Sequence, residues 1–242
     1  MDGSSEFVSK PERLQKILSS YSIASRREAE RMILDGRVQV NGITARTGQS
    51  AKPGHDQITI DGVPLDTKED HVYIMLNKPC GYITTRSDEY GRKTVMDLLT
   101  GVSKRVYPIG RLDKDSEGLL LFTNDGEFAN AVLHPSRNKL KTYEAAVRGD
   151  IQKAAEMLRQ PVKIDRYTVH ASKVGLLKTT ADGGALLISV IEGRNRQVRK
   201  MCAVCGVKVI SLKRISVGCL ELGGLETGKW RFLTDNEVKA LG

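Results

Sequence analysis

The residues best suited to chemistry are concentrated in one stretch, Gly110-Arg111-Leu112-Asp113-Lys114-Asp115-Ser116-Glu117-Gly118. Tyr107-Pro108-Ile109 before it and Leu119-Leu120-Leu121-Phe122 after it read as strands, so the polar residues between them form a loop held at both ends. Such a loop is a rigid place to display a carboxylate. Asp113 stands between apolar Leu112 and the Lys114-Asp115 pair. A partly buried carboxylate beside a guanidinium stays ionised and can act as nucleophile or base. On residue type alone, the commoner role of such an Asp is to make a turn or a cap. Asp113 with Asp115 would also suit a paired-carboxylate glycoside hydrolase, a reading that gives no purpose to the basic segments described below.

Other reactive residue types form no comparable pattern. Cys202-Ala203-Val204-Cys205 has CxxC spacing, but zinc needs a second pair or nearby histidines, and Cys80 and Cys219 stand alone. The pair falls on apolar helical spacing, so core packing is expected. His55, His71, His134 and His170 have no ligand spacing. No metal site is expected, and no stretch resembles a nucleotide-phosphate loop.

The elements that must position Asp113 are legible from patterning. Glu12 to Ser19 carries Leu14, Ile17 and Leu18 at helical spacing. Ser25-Arg26-Arg27-Glu28 is a capping box opening a second helix through Met32, Ile33 and Leu34, with Gly36 as its left-handed stop. Val38-Gln39-Val40 then alternates as a strand into the Asn41-Gly42 hairpin turn, and Ile58-Thr59-Ile60 into Asp61-Gly62. The acidic residues 64–70 read as a linker. A buried-strand run follows from Val72 to Leu76, then short strands with helices at residues 127–133, 151–159 and 195–205. The expected class is α+β. A small α/β domain over residues 10–68 precedes a mainly antiparallel-sheet domain over residues 71–242. Residues 1–9 read as a flexible or vector-derived extension outside the fold.

The chain has 242 residues and a formal net charge of +9, unevenly spread. Residues 13–52 carry a balance of +5, residues 53–70 of −4 and residues 194–214 of +7. A single basic segment is most often a solvated face. Two of them flanking a candidate reactive loop point to nucleic acid. Arg26, Arg27 and Arg31 lie on the second helix, with Arg27 and Arg31 one turn apart on the same face, as a phosphate-reading surface requires. No apolar run approaches the ~20 residues that span a bilayer, and residues 1–10 lack the apolar core of a signal peptide. Four Cys in a chain of this length do not make a disulfide scaffold, so a reducing compartment is expected.

Two resemblances sharpen these readings. Arg13-Leu14, Ala24-Ser25-Arg26-Arg27-Glu28-Ala29, Ile33, Gly36, Val38 and Val40-Asn41-Gly42 resemble the S4-type RNA-binding domain. Gly110-Arg111-Leu112-Asp113, Ser116, Gly118-Leu119-Leu120-Leu121 and Thr123-Asn124-Asp125-Gly126 resemble the catalytic motif of the pseudouridine synthases. The best likeness is to the branch that modifies ribosomal RNA and carries an N-terminal S4-type domain. Three more pieces follow in the family's order: Leu76-Asn77-Lys78-Pro79-Cys80-Gly81, Lys141-Thr142-Tyr143, and Glu192-Gly193-Arg194-Asn195-Arg196-Gln197-Val198-Arg199-Lys200-Met201. Ser116 stands where Thr is more usual, and the hydroxyl is kept.

The resemblance implies isomerisation of uridine to pseudouridine in a central cleft of the second domain. Asp113 would be the essential carboxylate, attacking the sugar C1′ or removing a 2′ proton. Arg199 would pair with it, and Tyr143 would stack on the uracil and serve late proton transfer. Arg111 would hold the displaced nucleotide, with Lys78, Arg194, Arg196 and Lys200 as phosphate contacts. No cofactor is implied. The expected partner is ribosomal RNA or a pre-ribosomal particle, without a membrane, met by a monomer. The expected compartment is a bacterial cytoplasm, with a mature organellar form as the alternative. The wording Arg194-Asn195-Arg196-Gln197 resembles the large-subunit (23S-type) enzymes, so a small-subunit 16S-type target is the second choice. A catalytically silent RNA-binding or ribosome-assembly factor of the same fold is the rival class.

Overall fold

A computed structural model of the chain describes residues 10–21, 23–65 and 70–242. The N-terminal extension of residues 1–9 and the linker's residues 66–69 lie outside the described residues. Contacts divide the chain into two compact units that meet in sequence between His71 and Val72.

In the first unit, helices Leu14–Ser20 and Arg26–Leu34 share a core with a four-stranded sheet ordered Ile43–Thr44, Val38–Val40, Ile58–Ile60 and Val63–Pro64. Leu14, Ile17 and Leu18 from one helix and Ala29, Met32 and Ile33 from the other are buried there. The capping box is formed in both directions between Ser25 and Glu28. Both hairpin turns place two consecutive residues at positive φ, Asn41-Gly42 (53°, 78°) and Asp61-Gly62 (50°, 81°), as type I′ turns demand. The first helix begins later than its apolar spacing suggests. Glu12–Arg13 is paired with Ser50–Ala51 as a strand, so the chain turns helical only at Leu14. Arg26, Arg27 and Arg31 project from the second helix as exposed side chains.

The second unit is built on a nine-stranded sheet. Its path runs Lys173–Thr180, Gly183–Val190, Lys141–Arg148, Lys208–Val217, Glu117–Thr123, Tyr73–Lys78 and Trp230–Phe232. Leu220–Glu221 pairs with Lys208–Val217, and Tyr107–Ile109 with Glu117–Thr123. Every pairing is antiparallel except one short join, where Lys213 and Arg214 lie parallel to Glu117 and Gly118. The expected α+β class is the one found.

The continuous apolar run Leu119 to Phe122 follows from burial on both faces of its strand. Leu120 and Phe122 enter a cluster with Tyr143, Ala145, Ile188 and Leu212, while Leu119 and Leu121 enter another with Met75, Phe128, Val132 and Leu241. Helix Ile151–Leu158 seals the first cluster with Ile151, Ala154, Ala155 and Leu158, spaced one helical face apart. Helix Gly126–Leu133, capped by the Asp125 carboxylate, covers the second with Phe128, Ala129 and Val132.

Gly118 marks the parallel join. It has φ of +104°, and a Cβ there would meet the Arg214 carbonyl oxygen at 2.2 Å. Gly118→Ala is expected to lower unfolding free energy by about 2 kcal/mol or more. Gly224→Ala, with nothing within 4 Å of its would-be Cβ, should stay within about 0.5 kcal/mol of the parent. Denaturant unfolding of the two variants checks both.

Candidate active site

The reactive loop is fixed by its backbone before any of its carboxylates is considered. The strand Tyr73–Lys78 delivers the Lys78 ammonium, fully buried, beneath the loop. It donates to the carbonyls of Pro79 (3.0 Å), Asp113 (3.0 Å) and Ser116 (2.8 Å). Burial pushes the Lys78 ammonium below its ordinary pKa, opposed by the negative groups around it, Asp113, Asp115 and Glu117 among them. The Thr84 hydroxyl donates to the Leu112 carbonyl (2.7 Å) and accepts from the Leu112 amide (3.3 Å). The Gly81 amide holds the Lys114 carbonyl (2.8 Å). Lys78 was expected to meet phosphate. It does not: three carbonyls occupy its three N–H groups, and no surface is left for an anion.

Above this pinned backbone opens a cavity of ≈ 340 Å³, a size that suits a single small ligand or base. Asp113, Arg111, Tyr143, Arg194 and Arg196 all line it. Tyr143 is buried on the strand Lys141–Arg148, in register with Ile188 and Arg214 on either side. Arg111 is exposed. Arg194 donates to Glu192 (2.5 Å) and its guanidinium lies 4.2 Å from the centre of the Tyr167 ring.

The structure changes which arginine meets which carboxylate. Arg199 was expected on Asp113. Instead its Nη2 donates to the main-chain oxygen of Asp115 (2.6 Å) and its Nε lies 3.5 Å from the Asp115 carboxylate. The guanidinium nearest Asp113 is that of Arg196, whose Nη1 is 3.8 Å from Oδ2. That same guanidinium grips Asp115 with two hydrogen bonds of 2.9 and 2.8 Å. The reason is local backbone geometry. Arg196 is the left-handed N-cap (φ 52°, ψ 31°) of helix Gln197–Val204, and from there it reaches the loop. Arg199 sits inside the helix's first turn, largely buried, with Nη1 also directed to the Val209 carbonyl. The Arg196 hydrogen bonds hold the Asp115 carboxyl below the usual carboxylate range. Lys200 is likewise corrected: it pairs with Asp165 and does not line the cavity.

Two cavity cations escaped the sequence reading as site residues. Arg214 is buried, lines the cavity and donates from Nε to the Leu119 carbonyl (2.8 Å). Lys141 lines it too, donating to the Ile191 carbonyl (2.7 Å), with its pKa lowered by burial and by Arg214. Their signals were present, one in the basic segment of residues 194–214 and one beside Tyr143. The walls thus carry five cations, Arg111, Lys141, Arg194, Arg196 and Arg214, against the carboxylates Asp113 and Glu192. That balance suits an anionic ligand. Among the described residues, no cluster of three His, Cys, Asp or Glu side chains is placed to hold a metal ion. Burial pushes the Cys202 thiol up to about 12, which suits packing.

Residues 72–204 match the RNA pseudouridylate synthase family, and residues 12–58 match the S4 domain. The chain belongs to the RNA pseudouridylate synthase family. Ribosomal large subunit pseudouridine synthase B of Bacillus subtilis (strain 168) is 43% identical over 235 residues, covering 95% of each chain. Dual-specificity RNA pseudouridine synthase RluF of Escherichia coli (strain K12) is 38% identical over 228 residues, covering 93% of this chain and 77% of that protein. A crystal structure of a pseudouridylate synthase is similar with a TM-score of 0.68 at 27% identity, covering 95% and 99% of the two chains. As a pseudouridine synthase the chain is an isomerase, and its S4 domain marks it as RNA-binding.

Lys78 generates a prediction that separates holding the loop from touching RNA. Lys78→Met leaves three carbonyls, one buried and two part-buried, without their donor and should cost about 3 kcal/mol or more in denaturant unfolding. Pseudouridine formation should slow as Asp113 loses its support. The salt dependence of RNA binding should not change, because the ammonium reaches no phosphate.

Proposed function

We propose that this pseudouridine synthase isomerises specific uridines in large-subunit ribosomal RNA, with Asp113 as the reacting carboxylate. One observation carries the reading. Among the described residues nothing donates a hydrogen bond to the Asp113 carboxylate, which lines a basic cavity while its backbone is pinned from below. A carboxylate that no protein donor holds, in a cationic cavity, is available to react.

The C1′–N1 bond of the uridine breaks, the uracil turns, and a C1′–C5 bond forms. C5 loses a proton and N1 gains one, so substrate and product are isomers and no group donor is consumed. Asp113 acts either by attack on C1′ or by removal of the 2′ proton to give a glycal. Both need its carboxylate beside the ribose. A stacked uridine cannot reach the cavity and must flip out, at a cost of a few kcal/mol. Arg111 holds the displaced nucleotide, the Tyr143 ring stacks on the uracil, and Arg194 and Arg196 meet flanking phosphates. Arg199 acts through Asp115. Arg26, Arg27 and Arg31 dock RNA phosphates on the S4 domain. The large-subunit target is supported by the Bacillus subtilis relative, a ribosomal large subunit pseudouridine synthase. The protein acts as a monomer in the bacterial cytoplasm.

Incubation with unmodified 23S and 16S transcripts, followed by pseudouridine mapping, tests the reading. Product is expected in 23S RNA and none from Asp113→Asn. No product from the parent protein would leave a silent RNA-binding factor as the better description, and equal product from the variant would remove Asp113 as the reacting carboxylate. Product in 16S RNA alone would reassign the subunit.

The S4 arginines give a second test. Replacing Arg26, Arg27 and Arg31 together with Ser should reduce the slope of log affinity against log salt by about 2 to 3, one counterion released per phosphate lost. An unchanged slope removes this helix from the RNA interface.

A further inference from the structure

Of the five cavity cations only Arg214 is buried, 5% exposed, and among the described residues no carboxylate pairs with it. Its Nε donates to the Leu119 carbonyl (2.8 Å), and that is its one hydrogen bond among the described residues. Nη1 and Nη2, each with two N–H groups, are left without acceptors. Those two nitrogens are not sealed in protein, so the space they meet is the cavity that Arg214 lines. Burying an unpaired guanidinium is costly. The cost is raised by the neighbouring Lys141, whose own pKa is lowered by burial and by Arg214. Two close cations with no anion between them are built for an acceptor that a ligand brings.

Depth decides which part of the RNA supplies that acceptor. Arg111, Arg194 and Arg196 are exposed, where flanking phosphates stay with the RNA backbone. Arg214 lies opposite Tyr143 in register on the neighbouring strand, so the two side chains share a face. Leu212 and Lys141, two residues away on the same two strands, line the cavity with them. We propose that Arg214 is a further catalytic residue, whose Nη groups donate to a carbonyl oxygen of the uracil and hold the negative charge that the base carries when C1′–N1 breaks. The proposal rests on uridine isomerisation taking place in this cavity. By either route at Asp113 the bonding pair leaves with N1, and its charge spreads over O2, O4 and C5. The same electrons then form the C1′–C5 bond, C5 loses its proton and N1 gains one. A neutral uracil oxygen accepts weakly from a guanidinium and a charged one strongly, so the contact tightens as the bond breaks. A contact of that kind lowers the barrier and leaves ground-state affinity nearly unchanged.

Single-turnover rates at saturating enzyme test this. Arg214→Gln keeps an N–H for the Leu119 carbonyl and removes the charge. It is expected to lose about a hundredfold or more in the rate of the bound complex, with RNA affinity altered less than about threefold. The slope of log affinity against log salt should not change, because no phosphate contact is lost. Arg214→Lys, which restores the charge, should be about tenfold faster than Arg214→Gln, and it serves alone against the parent if the Gln variant does not fold. A second measurement needs no turnover. Barbiturate is a pyrimidine already anionic at neutral pH, and the parent should bind it about tenfold or more tighter than neutral uracil, a preference that Arg214→Gln abolishes. The proposal is overturned if either variant is as fast as the parent, if the loss falls on RNA affinity with a shallower salt slope, or if the parent binds barbiturate and uracil alike. If the parent makes no pseudouridine while it prefers barbiturate through Arg214, the assigned reaction fails and the site for an anionic pyrimidine stands.

Discussion

A lysine ammonium enclosed by protein has three N–H groups, and each must find an acceptor or the burial is ruinous. In this chain those acceptors are the carbonyls of Pro79, Asp113 and Ser116, so satisfying Lys78 also fixes the path of the loop that displays Asp113. The rest of the site is arranged around that constraint. Thr84 and Gly81 add backbone contacts to the same loop. Arg199 adds a hold from the other side, at the Asp115 main-chain oxygen.

The second organising feature is the division of labour among arginines. Arg196 and Arg199 converge on Asp115, Arg214 is spent on the Leu119 carbonyl, and Arg194 on Glu192 and the Tyr167 ring. Each charge is oriented before any ligand arrives. Preorganised cations of this kind lose little freedom when they meet a phosphate or a displaced base. The +9 net charge is thus partly a set of directed groups around one cavity and partly an exposed helix face on the S4 domain.

Much of this was legible in the sequence because local rules and tertiary structure agree. The capping box at Ser25 and Glu28, the Asn41-Gly42 and Asp61-Gly62 turns, and the strand through Leu119 to Phe122 need no distant information. Asp113, Arg111, Tyr143, Arg194 and Arg196 do line one cavity. What escaped depends on partners far along the chain. A lysine reads as a surface residue, and only the loop some 35 residues later reveals Lys78 as a buried clamp. Which arginine faces which carboxylate turns on the left-handed backbone of Arg196, a conformation no propensity favours for Arg. Arg214 is turned inward at the parallel join, which strand alternation alone does not announce. Glu12–Arg13 is a strand only because Ser50–Ala51 lies beside it.

The parallel join between Gly118 and Arg214 ties together positions 96 residues apart in hydrogen-bond reach of one another, through the Arg214 contact to Leu119. The cavity wall that includes Leu212, Arg214 and Val217 is therefore made long after the Asp113 loop. A growing polypeptide presents the reactive loop with one side missing, and the site closes only when the strand Lys208–Val217 has left the ribosome and slotted beside Gly118. A catalyst whose substrate is RNA is in this way kept unfinished while its own synthesis holds it against the largest RNA surface in the cell.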